Sequence, residues 1–274
     1  MDAMRRTLVA IVVVAAACLA AGASSAMAAR FNPLLSKNWS GYIASGATFA
    51  SVSSTWVQPS ATCTSATAAS AFWVGLGGAS PSSPGLEQIG TSADCVHAQA
   101  STYAWYEILP AAATWIPVAV SPGDTITASV SVADTTVSFS LTNVTTGAAF
   151  ATQATVPQPA LDSAEWIAEA PSSCYGSLQN CTVLPLASFG SVAFGASSAT
   201  GIDGHAGTIS DAGWTFDSVR LAGNSGGSAT PSELSADGAS FNVAFEPVAA
   251  PIASTTKRPA PAKTHRPKRG RRGH

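Results

Sequence analysis

Short segments with alternating or β-branched residues make up most of this chain, and almost no stretch has the period of an amphipathic helix. Between about residues 38 and 247 these segments are separated by Gly, Pro, Ser and Asn, as around Thr125–Val132, Thr136–Leu141 and Ser240–Phe245. A strand of this kind buries one face only, so it needs a second layer to form a core. The pattern predicts an all-β sandwich or jelly roll, and about 210 residues suffice for one such domain.

The first 28 residues have the pattern of a secretory signal peptide. Arg5 and Arg6 give a positive start, residues 8–21 form an apolar stretch and residues 26–28 a small-residue cleavage site. We expect cleavage after Ala28 and a secreted, extracellular protein. A lipid anchor on Cys18 is the less favoured alternative, because the leucine usual in such motifs is missing before it.

Basic residues are concentrated at the other end of the chain. Eight of the 13 Lys and Arg residues lie between Lys257 and Arg272, in a segment with no large apolar side chain. Such a composition is typical of disorder, so we expect a domain over residues 29–250 and a disordered basic tail over residues 251–274. The tail either contacts an anionic cell-wall polymer or membrane surface, or is only a solvated extension.

The predicted domain is strongly acidic. Residues 31–250 contain 14 Asp and Glu but only Lys37 and Arg220 as cations, which leaves a charge of about −12 at neutral pH (2 minus 14). Protonation of these carboxylates would relieve their mutual repulsion. We therefore expect the domain to work, and to be most stable, in acid.

Four cysteines remain after the predicted signal is removed. An even number in an exported chain favours two disulfides over free thiols. We expect Cys174 and Cys181 to close a small loop, which would leave Cys63 to pair with Cys95, although four cysteines allow three pairings. The CxxC or histidine spacing of a zinc site is absent, so no metal is predicted.

Two acids stand among aromatic and apolar residues. Only 10% of the residues are charged, so Glu107 and Glu169 are candidates for chemistry, because burial raises a carboxyl pKa and suits the group to proton transfer. In a strand Trp105 and Glu107 share one face, and Glu165 shares a face with Glu169. The two-residue period of a strand does not show which of Glu165 and Glu169 is the candidate for chemistry. Alternatively, either acid could have a structural role only, with its carboxylate hydrogen-bonded to backbone groups or paired with an arginine.

Short motifs occur in a fixed order through residues 38–195. They are Asn38–Tyr42, Trp56–Pro59, Phe72–Gly78, Glu87–Gly90, Tyr103–Pro110, Pro122–Asp124, Leu141–Gly147 and Ala164–Glu169, followed by Cys174–Cys181 and Leu184–Phe189. Together they resemble the glutamic peptidases, also called eqolisins or peptidase family G1. The resemblance implies an antiparallel, concanavalin-like two-sheet sandwich. It also implies a monomeric acid endopeptidase that acts on proteins or peptides, is insensitive to pepstatin, needs no cofactor and binds no nucleic acid.

The resemblance also implies residue roles. The family's catalytic dyad falls on Gln88 and Glu169, and Glu165 becomes a supporting residue. The positions that line or brace the family's cleft correspond to Trp39, Trp73, Trp105 and Glu107. A carboxylate at Glu169 can take a proton from the attacking water and return it to the leaving amine. The amide of Gln88 can orient that water and donate a hydrogen bond to the developing oxyanion.

This chain departs from the family pattern at four positions near the expected cleft. Glu87 replaces a Leu, Ile89 a Thr, Gly77 an Asp and Tyr103 an Asp. These differences concern the hydrogen-bond network and the side-chain preference of the cleft rather than the dyad.

A serine peptidase is one competing interpretation. The segment Gly223–Ser228 is close to the Gly-Asp-Ser-Gly-Gly sequence around a chymotrypsin-type nucleophile, and His97 and Asp134 precede Ser225 in the required order. Neither residue has the usual flanking sequence, and a small-residue loop can produce such a string by composition alone.

A carbohydrate-binding module or a glycoside hydrolase is the other alternative, because both use sandwich folds. An aromatic platform for sugars could draw on Trp115, Trp166 and Trp214, although buried packing is commoner for Trp. A glycosidase would need two carboxyls flanking the scissile bond and would have no use for Gln88.

Overall fold

The computed structural model describes residues 33–64, 66–80, 82–174 and 180–248. The predicted signal peptide (residues 1–28) and the whole predicted basic tail (residues 251–274) lie outside these residues. Within them the secondary structure is strands without an α-helix, and no helix of membrane-spanning length is found. The eighteen strands are β1 (Leu34–Ser36), β2 (Trp39–Ser45), β3 (Phe49–Val57), β4 (Ala71–Gly77), β5 (Leu86–Val96), β6 (Gln99–Ile108), β7 (Thr114–Ile116), β8 (Thr125–Ala133), β9 (Thr136–Asn143), β10 (Ala148–Thr155), β11 (Ser163–Glu169), β12 (Ser172–Cys174), β13 (Cys181–Val183), β14 (Ser191–Gly201), β15 (Ala206–Thr208), β16 (Thr215–Leu221), β17 (Gly227–Pro231) and β18 (Phe241–Pro247).

The strands form two layers. The front sheet has the order β16-β2-β11-β4-β5-β6-β7 and the back sheet the order β10-β9-β8-β3-β14-β18, and β17 links them by pairing with β16 and β18. Strand pairs are antiparallel in both sheets, except that β1 runs parallel to β16. Strand β3 of the back sheet packs against β4 and β11 of the front sheet, and β8 of the back sheet packs against β4 and β5 of the front sheet. The predicted antiparallel two-sheet sandwich is confirmed.

The main core lies between the two sheets. Alternate residues of each strand point into it, for example Phe72 and Val74 from β4 and Trp166 from β11. The opposite face of the front sheet, called here the outer face, carries a second apolar cluster that includes Trp73, Trp105 and Ile167. The central strands of the front sheet are therefore buried on both faces.

Both disulfides predicted from the cysteine count are present. Cys63 is bonded to Cys95 at the end of β5, and Cys174 to Cys181 across the β12–β13 pair. Two disulfides are consistent with an oxidising, extracellular environment.

Candidate active site

Strand register places the predicted site residues on the outer face. Four neighbouring strands, β11, β4, β5 and β6, contribute one residue each to successive rows across this face. The first row is Glu165, Gly75, Gln88 and Glu107; the second is Ile167, Trp73, Gly90 and Trp105; the third is Glu169, Ala71, Ser92 and Tyr103. Trp39 on β2 pairs with Glu169 and extends the third row. Tertiary structure thus brings together residues from across 130 positions of sequence.

Two N–H donors hold the carboxylate of Glu169. The indole Nε1 of Trp73 donates to Oε2 at 2.8 Å, and Nδ2 of Asn38 donates to Oε1 at 3.0 Å. Burial raises the pKa of Glu169 to about 7; the two donors oppose this rise and the charge of Glu107 adds to it. A carboxyl with such a pKa is a stronger base than an ordinary glutamate once ionised, and an available proton donor once neutral.

Gln88 and Glu107 form the second polar group of the face. Nε2 of Gln88 donates to Oε2 of Glu107 at 2.6 Å. Oε1 of Gln88 is buried and has no hydrogen-bond partner among the described residues. An amide carries two N–H donors and one carbonyl. The contact with Glu107 therefore fixes the amide plane and leaves one N–H and the carbonyl oxygen without a hydrogen-bond partner among the described residues.

Trp73 lies between Gln88 and Glu169. These two residues are two strands apart and four residues apart in register, and no hydrogen bond joins them directly in the described part of the chain. A Cβ atom on Gly75 would lie 3.0 Å from the Trp73 ring and 3.1 Å from Cβ of Gln88. The missing side chain at Gly75 thus lets the indole extend from Glu169 to the side of Gln88.

Glu165 has a different environment from Glu169. Its side chain is 0% exposed, and neither carboxyl oxygen has a partner among the described residues. Burial raises the pKa of Glu165 well above its ordinary value, and the charges of Asp162 and Glu87 raise it further. A sealed, neutral acid cannot reach a substrate, whereas Glu169 is only partly buried. This contrast separates two acids that alternation along the strand could not.

Glu87 is a buried acid whose setting the sequence did not reveal. It points away from Gln88 toward the main core, is 1% exposed and accepts a hydrogen bond from the backbone N–H of Ala160 at 3.1 Å. Burial raises the pKa of Glu87 to about 7, against the backbone donors, and the charge of Asp162 adds to the rise. The only sequence signal was that an acid stands where the family has Leu.

Asp94 is a second polar residue that sequence reasoning missed. It follows Ser92 on the outer face of β5, and its Oδ2 accepts the hydroxyl proton of Tyr103 at 2.7 Å. Burial raises the pKa of Asp94, although that hydrogen bond opposes the rise. Tyr103 stands at a position where the family pattern has an acid, and in this chain its hydroxyl is held by Asp94.

The serine-peptidase interpretation finds no geometric support. His97 and Asp134 occupy positive-φ positions in the β5–β6 and β8–β9 turns, and Ser225 lies in the exposed loop between β16 and β17. In the described part of the chain no hydrogen bond connects any two of the three.

The alternative of a sugar platform built from three tryptophans finds no support in the structure. Trp166 and Trp214 are buried, and their indole N–H groups donate to backbone carbonyls of Ser53 and Ile209. Only Trp115 of the three is exposed.

Comparisons with known proteins identify the family and the fold of this chain. Residues 37–244 match the model of the Peptidase A4 family. A crystal structure of scytalido-glutamic peptidase with a peptide-based transition state analog is 28% identical, with a TM-score of 0.65 over 76% of this chain and 98% of that one. SCP-B, a member of the eqolisin family in complex with the tripeptide Ala-Ile-His, is 27% identical, with a TM-score of 0.62 over 76% and 98%. Aspergilloglutamic peptidase from Aspergillus niger is 27% identical, with a TM-score of 0.54 over 65% and 99%. A search of curated proteins gives no match.

Proposed function

This chain belongs to the Peptidase A4 family of glutamic peptidases, and on that premise we propose that it is an extracellular acid endopeptidase in which Gln88 and Glu169 activate water. The observation that carries the proposal is the outer face itself. It presents a carboxylate held by two N–H donors, and beside the same indole it presents an amide with a free carbonyl and a free N–H.

Glu169 acts first as the base and then as the acid. In its ionised form it takes one proton from a water molecule as the water oxygen bonds to the scissile carbonyl carbon. It then gives that proton to the amide nitrogen as the C–N bond breaks, so the carboxylate is regenerated. The donors from Trp73 and Asn38 keep both oxygens oriented during the transfer.

Gln88 positions the reacting groups. Its free Oε1 accepts a hydrogen bond from the water, and its second N–H donates to the oxyanion that forms on the carbonyl oxygen. Removal of one preorganised donor of this kind costs about 2.7 to 4 kcal/mol of transition-state stabilisation. Glu107 contributes by fixing the amide through the 2.6 Å hydrogen bond.

Peptides or proteins are the proposed substrates. Scytalido-glutamic peptidase was crystallised with a peptide-based transition state analog and SCP-B with a tripeptide, and these two chains align over 98% of their length. We expect pepstatin and serine-directed reagents to leave the activity intact, because the proposed chemistry uses neither an aspartic dyad nor Ser225.

The proposed pH range follows from two opposing titrations. With a pKa of about 7, Glu169 is mostly protonated in acid, so its ionised, base-competent fraction increases about tenfold for each pH unit by which the pH rises toward 7. The raised pKa values of Glu87 and Glu165 mean that the fold loses stability over the same rise in pH. Peptidase activity should therefore be highest at mildly acidic pH, in the upper part of the acid range in which the domain is expected to work.

Paired variants test the dyad. Glu169→Gln and Gln88→Ala should each lose nearly all peptide hydrolysis while keeping the wild-type melting temperature within a few degrees. Glu246→Gln, on the exposed surface beside Arg220, and Ser225→Ala serve as matched controls that keep full activity. Full activity in Glu169→Gln would refute the assignment.

The remaining features of the proposal concern the whole chain. Export is supported by the signal pattern at residues 1–28 and by the two disulfides, and N-terminal sequencing of protein recovered from culture medium tests it. We further propose that residues 29–250 form the peptidase domain and that the basic tail, residues 251–274, contacts an anionic wall polymer or membrane surface through its Lys and Arg residues. Light scattering of the purified protein should give the mass of a monomer.

A further inference from the structure

Trp115 is an exposed aromatic residue at the edge of the front sheet. It lies in β7, which within the described ranges pairs with β6 alone, and its side chain is 71% exposed. One face of its indole stacks on Tyr103, with ring centroids 4.5 Å apart and planes 14° from parallel. The other face of the indole remains open.

Trp115 continues the aromatic surface of the active site. It is the direct cross-strand neighbour of Trp105, which pairs through Gly90 with Trp73. Side chains that pair directly across strands project from the same face of a sheet. An apolar row therefore runs from the Trp73 indole, which touches Glu169, to the open face of Trp115.

The residues beneath Trp115 are held in place. The hydroxyl of Tyr103 donates to Asp94 at 2.7 Å, and the indole N–H of Trp105 donates to Ser92 at 3.0 Å. Burial and the neighbouring charge of Asp94 raise the pKa of Tyr103, so its ring remains a neutral phenol. The Tyr103–Trp115 stack is thus a prearranged, uncharged platform.

An exposed tryptophan is an unusual choice for an edge strand. Such strands are normally protected by charged residues, prolines or bulges, because an apolar edge invites association. Tryptophan is also the residue type most enriched where binding energy is concentrated. Because Trp115 lies on the same face as the proposed catalytic residues, its position indicates that a segment of the substrate binds over its indole.

We infer that Trp115, supported by Tyr103, is a specificity subsite that stacks on an aromatic substrate side chain about three to four residues from the scissile bond. Neighbouring strands are about 4.8 Å apart and residues about 3.3 Å apart along a strand, so Trp115, two strands across and two residues along from Gln88, lies about 12 Å from it. An extended peptide advances about 3.3 Å per residue, which makes this distance about three to four residues. The inference rests on the proposed peptidase function.

Peptide kinetics test the subsite. Quenched-fluorescence octapeptides carry a single Phe either three residues before or three residues after the scissile bond, and matched peptides carry Ala at the same place. Trp115→Ala should raise KM about three- to tenfold for one of the two Phe peptides, with kcat changed less than twofold. The Ala peptides should show less than a twofold difference between the variant and the wild type, and Trp115→Phe should recover most of the lost affinity.

Controls separate this inference from the proposed function. Phe216→Ala removes an exposed aromatic from the opposite face of the same sheet, beside Tyr42, and should change no KM. If the wild type cuts none of the peptides, or Glu169→Gln cuts them normally, the proposed function fails. If Glu169→Gln is inactive but Trp115→Ala affects Phe and Ala peptides equally, only the subsite is refuted. Quenching of Trp115 fluorescence by soluble oligosaccharides, and not by inactive peptide analogues, would also overturn it.

Discussion

Replacement of Glu87 by Gln should remove a large part of the pH dependence of stability. Gln has the shape of a protonated Glu, and its carbonyl can still accept the hydrogen bond from Ala160. The variant therefore imitates the neutral carboxyl at every pH. It also leaves Gln88 on the outer face in place, since successive side chains of β5 point to opposite sides.

The sign and size follow from the raised pKa. Burial lifts the pKa of Glu87 from 4.5 to about 7, so its contribution to stability is fully present below about pH 4.5 and is lost as the pH rises through 7. Each pKa unit corresponds to about 1.4 kcal/mol, which makes the loss at most about 3 kcal/mol by pH 8. Burial also raises the pKa of Glu165 well above its ordinary value, so the wild type should lose more stability than this in total as the pH rises.

Urea unfolding followed by tryptophan fluorescence at pH 4.5, 6, 7 and 8 measures the effect. Glu87→Gln should match the free energy of unfolding of the wild type at pH 4.5 and exceed it by up to about 3 kcal/mol at pH 8. Glu246→Gln is the matched control, because the pKa of Glu246 is lowered whereas that of Glu87 is raised. Hydrogen bonds from Thr230 and Ser228, together with Arg220, lower the pKa of Glu246, so that variant should be slightly less stable at pH 8. Parallel decline of the wild type and Glu87→Gln from pH 4.5 to 8 would refute the reasoning.

Two further predictions concern the donor to Glu169 and the disulfides. Trp73→Phe removes an N–H donor that stabilises the ionised carboxylate of Glu169, so the pKa of Glu169 should rise. The rising limb of the pH profile of kcat/KM should then move to higher pH. A limb at the wild-type position would contradict this prediction. Replacement of both Cys63 and Cys95 by Ser opens a loop with a sequence separation of 32 and should cost about 4 kcal/mol of unfolding free energy. The corresponding change at Cys174 and Cys181, with a separation of 7, should cost about 2 kcal/mol, and a reversed order in urea titrations would count against the loop-length argument.

Local sequence determined the class of fold and part of the site. The two-residue period of a strand is visible in the sequence, so it predicted the all-β sandwich and placed Trp105 with Glu107, and Glu165 with Glu169, on shared faces. The number of cysteines predicted two disulfides, and the ordered motifs indicated the family. The predicted signal peptide and basic tail remain predictions.

Tertiary structure alone decided what each of these side chains meets. Register between strands distant in sequence places Trp73 between Gln88 and Glu169, and it is the sealing of Glu165 that leaves Glu169 as the accessible acid. Layer packing turned Glu87 toward the core and left Trp115 at an open edge. The two-residue period of a strand predicts only the side of that strand on which a residue lies. Burial, hydrogen-bond partners and pKa depend on neighbours that other strands supply, and no local pattern encodes them.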